Sequence, residues 1–319
     1  MRNSVDFGVF TSTEKPTYQE ILAEVKEFEH LRYHSVWFSD HLIGMYSSPD
    51  APRFENWTVL SAIAGATSRI RLGQLVLCNP FRHPSLLAKM SATLDAISGG
   101  RLELGLGAGW HEPEFKAYGY PFEEPSARVR RLSEAVRIIK RMWTEPSPSF
   151  KGRYYSIENA YCSPKPVQKP HPRLMIGGSG EQLLLRVVAK YADTCNFAAW
   201  QGSPKEYEAK LRVLARHCRR VKRDPETIRG SWATYALVQA DPKDARKAVE
   251  DYVKQRLQAS PNASPERLRP PISGTPEDCV EQIQRYLDVG VSLFILRFMG
   301  TDNMRQAEIF AKEVMPAFK

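Results

Sequence analysis

The sequence lacks the features of a secreted, membrane-spanning or disulfide-bonded protein. It has only five cysteines in 319 residues, scattered without a Cys-x-x-Cys pair, so neither a disulfide framework nor a zinc site is expected. No apolar run reaches the roughly eighteen residues that suggest a membrane helix, and the start MRNSVDFGVF does not resemble an export signal. We expect a cytoplasmic protein with no membrane segment and no bound metal.

Acidic side chains are in the minority. Lys and Arg number 45 against 36 Asp and Glu, which gives a net charge of +9 and a surface that attracts anions. The basic runs at residues 128–131 and 216–223 have apolar residues between their charges, which is typical of solvated faces of outer helices. No nucleic-acid-binding motif accompanies them. We therefore expect no nucleic-acid partner, and the charge alone does not choose between the other anions, such as acidic lipid or a polyphosphorylated small molecule.

Short apolar segments alternate with amphipathic segments along the chain, which is 42% apolar and 25% charged and so typical of a folded domain. The predicted strands are residues 5–10, 35–39, 70–77, 101–106, 173–176, 194–198, 232–238 and 292–298. The predicted helices are one after Thr17 and residues 57–66, 85–97, 128–143, 183–192, 205–221, 245–257 and 277–287. Strands that are apolar on both faces indicate parallel strands covered by helices, and eight such units close naturally into a barrel. We predict an α/β fold, a (β/α)8 TIM barrel formed by residues 1–319 as a single domain, with an open doubly wound sheet as the alternative.

Two segments interrupt this alternation. Residues 150–172 are rich in aromatic residues, Pro and Lys and predict a small hairpin and loop inserted before strand five. Residues 258–274 contain four prolines and few apolar residues, which predicts a mobile excursion near the barrel mouth of the kind that can act as a lid.

Candidate catalytic residues are sought just after each strand, because TIM barrels collect function at the carboxyl ends of their strands. Asp40 and His41 follow the second strand, where the carboxylate can hold one imidazole nitrogen and leave the other for proton transfer. The alternatives are a solvated loop histidine and a helix-capping aspartate. Glu14 and Glu112 follow other strands and are the alternative proton donors.

Glycine-rich turns follow the fourth and fifth strands. Residues 177–180 (GGSG) precede a helix, so their amide groups and the Ser179 hydroxyl can cradle a phosphate, although such a segment is often only a turn. Trp110 follows the glycines of GAGW and can stack on a planar ring or plug the barrel mouth.

The chain resembles the luciferase-like flavin and deazaflavin oxidoreductases, in particular the branch that depends on coenzyme F420. The resemblance covers almost the whole chain and is densest at residues 37–42 (WFSDHL), 72–115 and 150–181. The run RHPSLLAKMSATLDAISGGRLELGLGAGW is its most specific part. It implies a luciferase-like barrel with an insertion before strand five, a cofactor ring at the carboxyl end, and a non-prolyl cis peptide at Leu75–Val76 that supports the ring.

The function implied by the resemblance is hydride transfer between F420 and a small organic substrate. An FMN-dependent luciferase-like monooxygenase and a non-catalytic flavin-binding relative are the alternatives. His41 is the implied catalytic residue, and the barrels of this family commonly form dimers, here through the helix at residues 57–66. The residues expected to bind the cofactor are Asp40, Leu75, Val76, Cys78, Ala108, Gly109, Trp110, Gly177, Gly178, Ser179 and Gly180.

Overall fold

Eight parallel strand positions close into a barrel in the computed structural model, which describes residues 5–44, 48, 50–197, 200 and 202–318. In chain order the strands are β1 (Asp6–Phe10), β2 (Ser35–Phe38), β3 (Arg71–Gln74), β4 (Leu77–Cys78), β5 (Leu102–Gly107), β6 (Phe150–Lys151), β7 (Ser156–Ile157), β8 (Arg173–Gly177), β9 (Thr194–Asn196), β10 (Arg229–Val238), β11 (Ile272–Gly274) and β12 (Val291–Phe298). Around the barrel the order is β1, β2, β3, β5, β8, β9, β10 and β12, and β12 pairs with β1 to close the ring. The predicted TIM barrel is confirmed.

The strand boundaries differ from the prediction in two places. The third predicted strand is divided into β3 and β4, because the peptide bond Leu75–Val76 between them is cis and interrupts the pairing. The seventh begins at Arg229, three residues earlier than predicted, because its first residues pair with β9. The predicted end of the sixth strand at residue 198 lies outside the described residues.

Helices occupy the outside of the barrel and begin at strong sequence signals. They are α1 (Tyr18–His30), α2 (Asn56–Ala66), α3 (Pro84–Ile97), α4 (Glu112–Ala117), α5 (Pro125–Thr144), α6 (Leu184–Tyr191), α7 (Pro204–Arg220), α8 (Pro242–Ala259), α9 (Pro265–Leu268), α10 (Pro276–Leu287) and α11 (Asn303–Ile309). Thr17 caps α1 through the amide of Glu20, and full capping boxes begin α7 and α10. In the described part of the chain, no helix has the length and apolar content needed to cross a membrane.

The core has two layers because alternate strand residues face opposite sides of the barrel wall. The interior is filled by Phe10, Trp37, Met175, Ala233, Leu293 and Ile295, and the other strand faces pack against the helices. Trp37 fills the centre, and a Cβ on Gly73 would lie 2.2 Å from its ring. The glycine in β3 is therefore a packing requirement, since any larger residue would collide with the buried indole.

The two segments that interrupt the alternation have different structures. Residues 150–172 contain the antiparallel hairpin of β6 and β7, as predicted for an insertion before the fifth barrel strand. Residues 258–274 differ from the predicted mobile excursion, because they include the end of α8, the short α9 and β11, which pairs in parallel with β10. Leu268 and Ile272 are buried, so burial of a few apolar side chains fixes this segment despite its prolines.

Candidate functional site

A cavity of about 410 Å³ opens at the carboxyl ends of the barrel strands, a size suited to a small-molecule site. Its lining comes from the segments after β1, β2, β5 and β8, from the bulge between β3 and β4, and from residues of β9, β10 and β12. Residues 258–274 do not contribute to it, so the structure gives no support to a lid there. Every residue predicted to bind the cofactor or act in catalysis lines this cavity except Gly180: Asp40, His41, Leu75, Val76, Cys78, Ala108, Gly109, Trp110, Gly177, Gly178 and Ser179.

The cis peptide lies at Leu75–Val76, the position implied by the resemblance. The Val76 side chain packs against the neighbouring strands β5 and β8, where two glycines make room for it. A Cβ on Gly107 would approach Val76 Cγ2 to 2.6 Å, and a Cβ on Gly177 would approach Val76 Cγ1 to 2.9 Å. These glycines therefore allow the bulge to lie against two strands and form one wall of the cavity.

The imidazole of His41 is held by Glu114, which lies on α4. Nδ1 of His41 is 2.8 Å from Glu114 Oε2, and the other carboxylate oxygen accepts hydrogen bonds from the amides of Leu42 and Ile43 at 2.7 and 3.2 Å. A carboxylate only accepts hydrogen bonds, so Nδ1 carries the proton and Nε2 is the nitrogen available for proton exchange. This is the arrangement by which proteins orient a histidine for acid–base work.

The charge of Glu114 is stabilised even though only 1% of the residue is exposed. Burial by itself raises the pKa of this carboxyl, but the hydrogen bond and charge of His41 and the two loop amides outweigh it, so the pKa is lowered. Arg53 braces the same loop, with Nε donating to the His41 carbonyl at 2.8 Å and Nη2 donating to Ser39 Oγ at 2.9 Å. Its Nη1 pairs with Glu14. Glu114 therefore remains an anion beside the ring.

Asp40 does not orient His41, so that part of the prediction is wrong. Its two carboxylate oxygens accept from Arg82, at 2.7 and 3.0 Å, and Oδ2 also accepts from the Cys78 amide at 2.8 Å. Arg82 also pairs with Glu55, which caps α2. Asp40 therefore ties the end of β2 to β4 and α2, because a bidentate arginine and a backbone amide satisfy it better than the adjacent imidazole would.

The thiol of Cys78 is not a nucleophile in this setting. Burial raises its pKa well above the ordinary value, and the negative charges of Asp40 and Glu114 raise it further. The thiolate is the reactive form of cysteine, and these surroundings disfavour it. Cys78 contributes shape to the cavity: a Cβ on Gly109 would come within 2.8 Å of its sulfur.

The glycine segment after β8 is open to solvent at Ser179 and Gly180. The helix α6 begins at Leu184, so three residues separate it from Gly180, and the segment does not lie directly at the helix end as predicted. Gly178 has φ +133°, and a Cβ there would lie 2.3 Å from the Leu184 side chain. Both the backbone conformation and the packing at position 178 therefore require glycine, and a substitution there would disturb the fold as well as any phosphate site. Ser179 is the residue at which phosphate binding can be tested.

Trp110 lies at the rim of the cavity beside His41. It is 63% exposed, and its ring is 5.9 Å from the His41 ring in an edge-on arrangement. The indole is thus placed to contact a ligand and does not plug the barrel.

The two glutamates predicted as alternative proton donors lie in different places. Glu14 lines the cavity and pairs with Arg53, whereas Glu112 pairs with Lys116 and does not line the cavity.

Sequence reasoning missed several residues that build the site. Glu114 follows Glu112 by two residues, and the only signal for its burial was the neighbouring Phe115, which is also buried. Arg53 and Arg82 had no signal, since their partners lie far along the chain. Arg297, which also lines the cavity, had one: it continues the alternation of Leu293 and Ile295, which face the barrel interior.

The comparisons with known proteins agree with this architecture. The sequence model for luciferase-like monooxygenases matches residues 5–293. The chain is 28% identical over 294 residues to the FMNH2-dependent dimethylsulfone monooxygenase of Pseudomonas putida, covering 82% of this chain and 78% of that protein. It is 27% identical over 337 residues to the F420-dependent glucose-6-phosphate dehydrogenase of Amycolatopsis mediterranei, covering 98% of both.

A solved structure shows the same fold. The coenzyme F420 dependent tetrahydromethanopterin reductase of Methanopyrus kandleri superposes with a TM-score of 0.81 at 22% identity, covering 99% of this chain and 100% of that one. The barrel, its insertion and the match over residues 5–293 lead to one conclusion. This chain belongs to the luciferase-like monooxygenase family.

Proposed function

We propose that the protein is an oxidoreductase that uses coenzyme F420 to move a hydride to or from a small organic substrate, with His41 handling the accompanying proton. The observation that carries this proposal is the pairing of His41 with buried Glu114 inside the cavity beside the cis peptide. A histidine oriented by a carboxylate in a small-molecule cavity is suited to proton transfer. The relative from Amycolatopsis, which aligns over 98% of both chains, supports the choice of F420.

The residues that line the cavity fit a planar cofactor with a phosphate. The bulge at Leu75–Val76 and the backbone at Ala108 and Gly109 would support the ring, with Asp40, Cys78 and Trp110 at its edges. Gly177, Gly178 and Ser179 would hold the phosphate, with Gly180 just outside the lining. When bound, the deazaflavin supplies the carbon that gives or accepts the hydride.

The protein's own part in the reaction is positioning and proton transfer. Glu114 fixes the Nδ1 proton of His41, so Nε2 can take a proton from an alcohol or, when protonated, give one to a developing alkoxide. Apolar groups of the lining such as Leu75, Val76 and Phe10 would shield the reacting atoms from water once cofactor and substrate fill the cavity, which would strengthen these interactions. A general acid or base placed in this way contributes typically 10² to 10⁴ to the rate.

An FMN-dependent monooxygenase is the second candidate. The Pseudomonas putida relative, named for its dependence on FMNH2, aligns over 82% of this chain. Isoalloxazine and deazaflavin rings have the same outline, so the same cavity suits both. If the protein is such a monooxygenase, His41 would handle a proton in the reaction that reduced FMN supports, and the protein would bind F420 weakly or not at all.

Binding measurements separate the two candidates. Purified protein is titrated with F420 and with FMN, oxidised and reduced, and binding is followed by the cofactor's absorbance and fluorescence. We expect micromolar or tighter binding of F420 and weaker binding of FMN, followed by turnover of reduced F420 with members of a ketone, enone and imine panel. Sub-micromolar binding of FMN without binding of F420 would overturn the choice of F420.

We also propose that residues 1–319 act as one cytoplasmic domain that forms a homodimer. Pairing of β1 with β12 joins the first and last strands of the barrel, which supports a single domain, and the five cysteines are free and buried thiols. The outer face of α2 presents Thr58, Ala62 and Gly65, small enough for close contact with a second copy. Light scattering at micromolar concentration should give a dimer, and Ala62→Arg should give a monomer of unchanged melting temperature.

A further inference from the structure

The cavity has two unlike sides, and the proposed cofactor accounts for one of them. The bulge and the glycine segments belong to β3, β4, β5 and β8. In the barrel order, β10, β12 and β1 lie four strands away from β3, β5 and β8 respectively, so they form the opposite wall. The proposed function places the cofactor ring on the side formed by the bulge and the glycine segments. The substrate must then contact the opposite wall.

On the opposite wall one cation, Arg297, lies among aromatic rings. We call this group the aromatic wall; it consists of Phe10, Trp200, Tyr235 and Arg297. Strand register puts Tyr235 beside Arg297, and Phe10 follows Val9, which pairs with Leu296. Phe10 and Ile295 face the barrel interior, so the alternation along β12 turns Arg297 to the interior as well. Three neighbouring strands thus bring two rings and a guanidinium together at the top of the barrel.

The contacts hold these groups in a defined order. Arg297 Cζ lies 5.5 Å from the centre of the Phe10 ring, within cation–π distance. The Trp200 ring meets Phe10 edge-on at 5.1 Å and stacks on Tyr235 at 5.3 Å with 20° between the planes. Arg297 is half-buried, and Phe10, Trp200 and Arg297 all line the cavity. The contact with Phe10 restricts the guanidinium, so less entropy is lost when it binds a ligand.

The chemistry of this wall selects a type of ligand. A guanidinium stays charged at all physiological pH values and binds carboxylates through two parallel hydrogen bonds. Flat aromatic faces beside Arg297 favour an apolar body next to the charge.

We propose that the substrate is a small hydrophobic acid whose carboxylate binds Arg297 and whose apolar, ring-sized body lies on Phe10 and Trp200. This inference rests on the proposed function for the side on which the cofactor lies, and it adds the substrate class. It makes Arg297 a residue that determines specificity through charge, whereas His41 serves the reaction itself.

The test compares acids with their neutral amides. Binding of benzoate, benzamide, cyclohexanecarboxylate and cyclohexanecarboxamide is measured by calorimetry, with the protein both free and loaded with F420. We expect each acid to bind at least tenfold tighter than its amide. In Arg297→Gln this preference should fall to less than threefold, while the affinities for the amides and for F420 stay within twofold of the original protein.

Matched variants separate charge from folding. Arg297→Lys keeps the charge but loses the bidentate geometry, and it should retain part of the preference for acids. Arg285→Gln changes an arginine on α10 whose side chain is 62% exposed and should change nothing. Phe10→Leu should weaken acids and amides alike, because it removes part of the shared apolar surface.

Each outcome decides between the two proposals. Equal affinity for acids and amides, or a preference that survives Arg297→Gln, would overturn this inference and leave the proposed function intact if F420 binds. A preference that depends on Arg297 in a protein that binds neither F420 nor FMN would support the anion site and overturn the proposed function. If Arg297→Gln does not fold, Arg297→Lys provides the test. An unchanged preference for acids over amides in Arg297→Lys would contradict the proposed pair of hydrogen bonds between the guanidinium and the carboxylate.

Discussion

The two ends of the barrel both bury charged side chains, yet they use them for different purposes. At the amino end, where the strands begin, Arg101 donates to the carbonyls of Ser98, Ala64 and Ile70 at 2.7, 2.8 and 3.0 Å. Arg71 binds Glu103 on the neighbouring strand at 2.6 Å. These contacts join helix ends to strand starts, and in each of them the partner of the arginine is another group of the protein.

At the carboxyl end the same kinds of contact support a group that faces the cavity. Arg82 and Asp40 tie β2 to β4, and Arg53 holds the loop after β2. Together they fix the backbone on which the His41 ring is held by Glu114. Buried charge is therefore present at both ends and does not by itself mark a functional site. What marks this one is a histidine in a cavity whose Nδ1 is hydrogen-bonded to a buried carboxylate that backbone amides also hold.

The largest effect is expected when the imidazole ring of His41 is removed. We expect His41→Ala to lower the rate of turnover with F420 by about 10² to 10⁴, since a positioned acid or base has been lost. The affinity for F420 and the melting temperature should change little, because Arg53 and Glu114 still brace the loop. Single-turnover absorbance measurements give the rate. A loss smaller than about fivefold would make His41 an orienting residue and leave proton transfer to Glu14 or solvent.

A variant at the amino end should affect stability and leave catalysis unchanged. Arg101, which is 8% exposed, loses several charge-assisted hydrogen bonds to backbone carbonyls in Arg101→Met, so we expect unfolding free energy to fall by about 3 kcal/mol. Urea unfolding measures this change, with Arg285→Met as the exposed control. Turnover per folded molecule should be unchanged at low temperature. A loss of catalytic rate in the folded variant would contradict the division between the two ends.

Replacing Glu114 should have a smaller effect than removing His41. In Glu114→Gln the side chain can donate as well as accept, so the tautomer of His41 is no longer fixed. We expect turnover to fall by about 10- to 100-fold, with a changed pH profile and an unaltered affinity for F420. Glu112→Gln, at the exposed glutamate two residues earlier, is the matched control. Equal effects of the two changes would rule out a positioning role for Glu114.

The smallest expected effect concerns His34, at the amino end just before β2. Burial lowers its pKa to about 4, and the charges of Arg229, Arg71 and Arg173 act in the same direction against Asp6. The unfolded chain, with an ordinary histidine, therefore binds more protons between about pH 4 and pH 6.5, so stability falls as the pH falls through this range.

Unfolding measurements across this range test the role of His34. In His34→Gln the decrease in unfolding free energy between pH 6.5 and pH 4 should be smaller by about 1 to 2 kcal/mol. This is roughly half of what the pKa difference gives at about 1.4 kcal/mol per unit, because solvent screens the partly exposed ring. Other acidic and histidine side chains will still make the protein less stable at low pH. Parallel pH profiles for the two proteins would show that His34 makes no such contribution.

The repeating architecture could be predicted from the amino-acid sequence. Eight apolar segments separated by amphipathic ones predicted the barrel, because the periods of strands and helices follow from their backbone geometry. The hairpin inserted before β8 followed from local composition. The resemblance added the cis peptide at Leu75–Val76 and supported eleven of the residues that line the cavity, since long motifs such as residues 82–110 fix the positions of many residues at once. These features depend on short stretches of chain and can be predicted from them.

The pairing of charged groups could be seen only in the folded structure. Asp40 is next to His41 in the chain, but it turns to Arg82, and His41 is held by Glu114, 73 residues away. Residues 258–274 likewise form a helix and strand because buried Leu268 and Ile272 find partners elsewhere in the fold. The physical reason is the same in both cases. Hydrogen bonds and apolar contacts are chosen by distance in space, and after each strand that distance depends on how the whole barrel closes.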